Sequence, residues 1–249
     1  MENATLGVLW RGFTARIINN PTLTIKSRRR QTMHVHYSAE LYDKLAVEQF
    51  ADFDRLFIER ISDVVAEQFG DRPVERLLDV GTGTARLLLK VAALDPFKKT
   101  KCVGTDYFQD MIDVGLRAVA ESGVGNVELF VDDAHRQKFS DDTFDVIISR
   151  STIHHWSNPQ MALSEIFRVL RPGGCAVLHE PRRDPNPEAL KVSNENRKKV
   201  GVENNRLDEK YSIAEVEAFL QAAGILGNCS IFAPETGPGS MGFELMMRK

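Results

Sequence analysis

The sequence predicts an α/β protein built on a doubly wound, mostly parallel sheet. Three observations carry that expectation. Strand-like and helix-like segments alternate from residue 75 onward. The run "LLDVGTGTARLLL" (77–89) passes from an apolar stretch through an acid and two glycines into a second apolar stretch. The last two strand-like segments follow one another directly, without a helix between them, which favours antiparallel pairing. A chain of 249 residues is long enough for one sizeable core, so one domain with additions is expected.

Taken in order, Phe53, Phe57, Ile61, Val64 and Val65 fall on one helical face that ends at Gly70. "ERLLDV" (75–80) reads as the first strand, and the Leu- and Ala-rich residues 84–94 as a helix. "KCVGTD" (101–106) is the next strand, followed by a helix with Ile112, Leu116 and Val119 at helical spacing. "NVELFV" (126–131) and "FDVIIS" (144–149) are strands. Asn158 before Pro159 is a helix start, with the proline at the first helical position, and Leu163, Ile166, Phe167 and Leu170 give that helix its stripe. "RPGG" (171–174) ends it, and "CAVLHE" (175–180) is the fifth strand. Residues 181–211 are polar and break the rhythm, reading as an insertion. "SIAE" (212–215) is a capping box opening a helix with Ile213, Val216, Phe219, Leu220 and Ala223 on its apolar face. "NCSIFAPE" and "GFELMMRK", joined through "TGPGSM", close the chain as paired edge strands. Five strand–helix units require helices on both faces of the sheet. Residues 1–50 read as an N-terminal extension, either a lid over the ligand crevice or a homodimer contact, ahead of a main domain at 51–249.

Composition excludes several classes. A formal net charge of −3 leaves no general basic footprint for nucleic acid, and "KSRRR" (26–30) reads as a solvated flank. No run approaches the roughly 18 apolar residues of a membrane span. The start, "MENATLGVLWRGF", lacks a basic n-region and does not read as a signal peptide. Cys102, Cys175 and Cys229 are far apart in apolar runs, as core residues of a reduced, cytoplasmic protein. Their spacing suggests no metal site.

The glycine turn sits where such sheets bind ligands, outside the carboxyl ends of the strands. A phosphate loop requires a lysine and a hydroxyl residue after its glycines, which are missing. A nicotinamide fingerprint requires a third glycine where Arg86 stands. Asp79, two residues before Gly81, is a poor neighbour for a pyrophosphate and suits a cationic ligand. S-adenosyl-L-methionine is such a ligand, carrying a sulfonium and an ammonium and no phosphate. Asp106 ends the second strand, where a carboxylate can take both ribose hydroxyls. Tyr107 and Met111 offer apolar walls for an adenine ring, and Asp133-Ala134 follow the third strand, where an oxygen can accept from the adenine amino group.

Together these segments resemble the class I S-adenosylmethionine-dependent methyltransferases, in the broad group that includes the ubiquinone/menaquinone-type enzymes. The residues carrying the resemblance are "LLDVGTGTARL", "VGTDYFQDMI", "DDAHRQKFSDDTFDVIISRSTIHHW" and "EIFRVLRPGGCAVLHE", spanning about 77–180. The resemblance implies that Gly81, Thr82 and Gly83 line the methionine moiety above Asp79. It implies that Asp106 holds the ribose, that Tyr107 flanks the adenine, and that Asp133 and Ala134 contact it. It also implies seven strands with the last antiparallel. "HYSAELYDKLA" (36–46) is similar to the family's cofactor lid, with Tyr37 as the contact. Ala85 replaces a frequent third glycine, a mild change because alanine is already small.

Methyl transfer from a sulfonium is an in-line displacement by an acceptor that must be aligned and kept from water. "RSTIHHW" (150–156) follows the fourth strand and faces the crevice. His155, and after it His154, are the candidate bases or acceptor-orienting groups, against the plain alternative of a packed or capping histidine. Arg150 is read as a cofactor contact and, with Trp156, as a pocket residue. Arg182 and Arg183 read as a solvated pair, with an anionic acceptor as the alternative. The insertion 181–211 and residues 1–50 are expected to shape the acceptor site. No NPPY-type tetrapeptide follows the fourth strand, which argues against base methylation and for a small-molecule acceptor of biosynthesis. A protein or RNA acceptor, and a cofactor-binding protein that transfers no methyl, are the competing readings.

Overall fold

The computed structural model describes residues 38–49, 51–199, 205–236 and 238–249. Tyr37, "KSRRR" and most of the N-terminal extension lie outside the described residues. Seven strands form one sheet: β1 Arg76–Val80, β2 Lys101–Asp106, β3 Val127–Val131, β4 Phe144–Arg150, β5 Leu170–Pro181, β6 Cys229–Phe232 and β7 Gly242–Arg248. Their order is β3-β2-β1-β4-β5-β7-β6. β7 runs antiparallel to both β5 and β6, while the pairings among β1 to β5 are parallel. The doubly wound sheet with an antiparallel last strand is therefore as the sequence predicts.

Alternate strand residues feed two cores. Leu77, Val146, Ile148 and Val177 pack with α2 (Ala51–Phe69), α3 (Arg86–Ala92) and α4 (Gln109–Ser122) on one face. Leu78, Ile147, Leu178 and Leu245 pack with α5 (Pro159–Val169) and α7 (Ile213–Ala222) on the other. Asn158 accepts from Met161 N to start α5, and Ser212 and Glu215 form the capping box of α7. β1 is flanked by β2 and β4, so the winding reverses there and the carboxyl ends of β1 and β4 frame a crevice.

Three local readings change. Leu116 is 47% exposed. α4 instead seats Ile112 and Ala118, with Gly115 so close to Leu129 that a Cβ there would lie 2.9 Å from its Cδ1. "RPGG" is not a helix end alone but part of β5. Phe144 pairs with Leu170 and Val146 with Cys175, so Arg171–Gly174 loop out as a bulge. A Cβ at Gly174 would lie 2.6 Å from the Asp145 carbonyl, which explains the glycine. The polar insertion contains a helix, α6 (Pro187–Lys199), started by Asn186 accepting from Glu188 N. Asn186-Pro187 repeats the Asn158-Pro159 start signal.

Asp145 ties the start of β1 to β4 and β5. Its Oδ2 accepts from the Glu75 and Arg76 amides at 2.9 Å each, and its Oδ1 lies 2.7 Å from Arg171 Nη1. Asp145→Ala leaves buried donors unpaired, and should lower stability by about 2–4 kcal/mol in urea unfolding with an unchanged m-value.

Candidate active site

After β1 the backbone enters a turn with three left-handed residues, Gly81 (φ 74°), Gly83 (φ 55°) and Ala85 (φ 61°). The Gly81 and Thr82 amides both donate to the Thr105 carbonyl at 2.8 Å, which binds the turn to β2. The Gly83 amide donates to Asp106 Oδ2 at 2.9 Å, and the Phe108 amide to Oδ1 at 3.0 Å. Each carboxylate oxygen retains a second lone pair for a ligand hydroxyl. A Cβ on Gly81 would lie 2.4 Å from Thr152 Cγ2, and one on Gly83 would lie 3.0 Å from Tyr42 Cε1. Glycine is thus required by backbone angle and by close approach together. Ala85 fits the space but not the angle, so the departure at that position is one of backbone conformation, at a cost of about 1 kcal/mol.

Beneath the turn Asp79 is 1% exposed, and Thr82 Oγ1 donates to its Oδ2 at 2.8 Å. Burial pushes its pKa up to about 7, against the Thr82 hydrogen bond and the field of Arg150. Arg150, at the end of β4, pairs at 2.6 Å with Asp54 Oδ1 of α2, whose Oδ2 lies 2.6 Å from Lys90 Nζ. Burial also raises Asp106, opposed by the Phe108 and Gly83 amides. Tyr42, Asp79, Gly81, Thr82, Arg86 and Arg150 line an open crevice with about 330 Å³ of empty space.

Tyr42 belongs to α1 (Ala39–Gln49), which starts where the Leu41 amide donates to Ser38 Oγ. Arg86 donates bidentately to Asp43 of α1, at 2.8 and 2.7 Å, and holds that carboxyl below its usual range. So the arginine that spoils a nicotinamide fingerprint anchors α1 beside the turn. The residue expected from this segment, Tyr37, lies outside the described residues, and it is Tyr42 that meets the turn. Tyr42 reaches the turn at Gly83 from 41 residues away, and no spacing in the sequence announces that contact.

The structure gathers the remaining expected residues at the same sheet edge. Tyr107 is 67% exposed, its ring edge-on to Phe108 at 5.4 Å. Met111 lies half-buried in the first turn of α4. The Asp132 amide donates to the Asp106 carbonyl, which brings the Asp133–Ala134 segment beside β2. Asp133 Oδ1 accepts from the His135 amide and from its Nδ1, at 2.9 and 2.6 Å. Burial works against its ionisation, but these bonds outweigh it and the carboxyl is held low. His135 Nε2 accepts from the Asn158 amide at 3.1 Å, which fixes the Nδ1–H tautomer and links this loop to α5.

His154 and His155 lie in a short 3-10 turn, Ile153–His155, with ring centroids 3.9 Å apart. They differ in setting. His155 is exposed, whereas His154 is buried and its Nδ1 bonds Glu180 Oε1 at the end of β5. Trp156 is buried in the core. Arg182 and Arg183 are half-buried and paired, not a freely solvated pair: Arg182 meets its near neighbour Asp184, and Arg183 meets Glu215, as the insertion returns to bridge Arg182 with Tyr211. Burial pushes all three cysteine thiols up to about 12, leaving them as packing groups.

A parallel sheet with an antiparallel seventh strand, a glycine turn and strand-end acids define a Rossmann-like fold of the methyltransferase class. The chain belongs to the methyltransferase-domain family, whose model matches residues 72–224. It is similar to the uncharacterized methyltransferase YcgJ of Bacillus subtilis (strain 168), 34% identical over 116 residues, covering 46% of this chain and 44% of that protein. It is also similar to the ubiquinone/menaquinone biosynthesis C-methyltransferase UbiE of Geotalea daltonii, 35% identical over 109 residues, covering 43% of this chain and 46% of that protein. The match spans about half the length of these curated relatives. A SAM-dependent methyltransferase from Aquifex aeolicus shares the fold, with a TM-score of 0.63 at 22% identity over 85% of this chain and 98% of that one.

Two outcomes follow from the turn. Gly81→Ala should cost about 3 kcal/mol, and Thr152→Ser in the same chain should recover about 2 of these by removing Cγ2, the remainder being the left-handed backbone. A urea double-mutant cycle checks it. Asp79 binds its proton more tightly folded (about 7) than at its ordinary 3.8, so its contribution lowers stability as pH rises through that window. The advantage of Asp79→Asn over the parent should grow by roughly 2–4 kcal/mol between pH 5 and pH 8. Parallel pH-dependent melts that never diverge would contradict the assignment.

Proposed function

We propose that the protein is an S-adenosylmethionine-dependent methyltransferase that transfers a methyl group to a small-molecule acceptor of biosynthesis in the cytoplasm. The observation that carries this reading is Asp79: a buried carboxyl with a hydroxyl partner, raised toward neutrality, directly beneath a glycine turn. Such a group is poorly compensated alone and well suited to a cation. A pyrophosphate on the same turn would face that carboxyl and Asp106 together.

The residues present fit this cofactor. Gly81, Thr82 and Gly83 allow the methionine portion to lie against the backbone, over Asp79, with Arg150 at the crevice wall. Asp106 accepts the ribose hydroxyls on its remaining lone pairs. Tyr107 and Met111 flank the adenine, and Asp133 and Ala134 read its edge. α1 forms a lid, with Tyr42 on Gly83 excluding water from the turn. Bound there, the cofactor supplies a methyl group already activated on a sulfonium. The chain's task is then to align the acceptor and receive its proton, at one of the adjacent imidazoles of His154 and His155.

The small-molecule acceptor is supported by the acidic balance of the chain and by its likeness to proteins named for ubiquinone and menaquinone biosynthesis. Among the described residues no helix is long and apolar enough to cross a membrane. The insertion 181–211, at the end of β5, and the lid supply the acceptor's surroundings.

The test is label transfer from methyl-labelled cofactor into cell extract separated into metabolite, protein and RNA fractions. Label in the metabolite fraction is expected. Label confined to protein or RNA would replace the acceptor assignment, and cofactor binding without transfer would refute the enzyme. Asp106→Asn, which keeps an acceptor for the turn amide, should cost about 1.5–3 kcal/mol of cofactor affinity by calorimetry.

A further inference from the structure

We propose that Glu180 selects His154, and not His155, as the base of this site, and that the acceptor is one whose nucleophilic oxygen or nitrogen must lose a proton. The proposal rests on the methyltransferase reading and deepens it.

Glu180 ends β5 and is 0% exposed. Its two oxygens both turn to the segment after β4: Oε2 accepts from the Ile153 amide at 3.0 Å, and Oε1 is bonded to His154 Nδ1. Among the described residues its one ion-pair partner is that imidazole. Three other buried carboxylates, Asp54 of α2, Asp145 of β4 and Glu244 of β7, each have an arginine. An arginine would have stabilised Glu180 permanently. An imidazole does so only when it carries a second proton.

A carboxylate accepts and cannot donate, so it places the single proton of neutral His154 on Nδ1. Nε2 is left with its lone pair, and among the described residues it accepts no hydrogen bond. His154 is thereby held in one tautomer and one orientation, while His155 is exposed on its far face. On the insertion side Lys210 feels the same carboxylate: its ammonium is disfavoured by burial and favoured by Glu180.

The step balances without a further reactant. The acceptor's O–H or N–H proton passes to His154 Nε2 as its lone pair attacks the methyl carbon. The C–S bonding pair stays on sulfur, which becomes a neutral thioether. The imidazolium faces buried Glu180 until its Nε2 proton leaves to solvent. Glu180 is a positioning residue, and an acceptor that carries no proton, such as a tertiary amine or a thioether, has no use for the pair.

The experiment is a long-range proton–nitrogen correlation on histidine-labelled full-length protein, assigned with His154→Gln. Neutral His154 should be protonated on Nδ1, and remain so in His155→Ala. Glu180→Gln should lose that single tautomer, bind cofactor as the parent does, and transfer methyl at least about 100-fold more slowly. An Nε2-protonated His154 in the parent overturns the proposal, as does a Glu180→Gln protein with unchanged tautomer and rate. Should Glu180→Gln fail to fold, the parent spectrum and Glu180→Asp decide. Absence of cofactor binding by the parent would instead refute the methyltransferase reading, whatever the tautomer.

Discussion

The structure depends on one backbone constraint, the left-handed turn that leaves β1. It must pass between the end of β2 and the segment after β4 in a space that admits no side chain at Gly81. The paired amide bonds to Thr105 and the Asp106 bond to Gly83 hold it there. Once the turn is fixed, the other parts have little freedom. α3 starts from it, Arg86 carries α1 over it, and Thr152, touching Gly81, carries the histidine segment to the same edge. A residue larger than glycine at position 81 therefore disturbs elements from four separate stretches of the chain.

The second organising feature is how the buried carboxyls are compensated. Arg150 and Lys90 flank Asp54, Arg171 meets Asp145, and Arg60 donates to Glu244 at 2.8 Å. These acids join strands and helices, and their charge is met within the fold. Asp79 and Glu180 are exceptions, having a hydroxyl and an imidazole in place of an arginine. Both stand at carboxyl ends of strands, beside the crevice or the segment that faces it. An incompletely compensated carboxyl destabilises the free protein and becomes favourable when a cation arrives. In the proposed reaction the first of these cations is the cofactor, and the second a proton from the acceptor.

The fold was legible because its signals are local. Alternating apolar runs, the Asn158-Pro159 start and the Ser212–Glu215 box each declare an element within a few residues. Asp79, Gly81, Gly83 and Asp106 were legible for the same reason, being set by strand ends and a turn. What escaped is non-local. Tyr42 matters through its contact with Gly83, and Glu180 through a partner on another strand's loop, and neither pairing has a sequence spacing to reveal it. Leu116 was misplaced because the close packing of Gly115, which carries no apolar side chain, sets that face of α4. Arg183 was misjudged because Glu215 meets it only after the insertion folds back, and Arg182 because its local partner Asp184 was left out of account.

The central claim is that Asp79 gives up a proton to receive a cationic ligand. Calorimetry at pH 6.5 to 7, with adenosylmethionine in two buffers of different ionisation enthalpy, tests it most directly. The account predicts micromolar-range binding, an enthalpy that tracks the buffer with a fraction of a proton released, and loss of that release in Asp79→Asn. Binding of a dinucleotide in place of adenosylmethionine, or binding with no proton released, would contradict it.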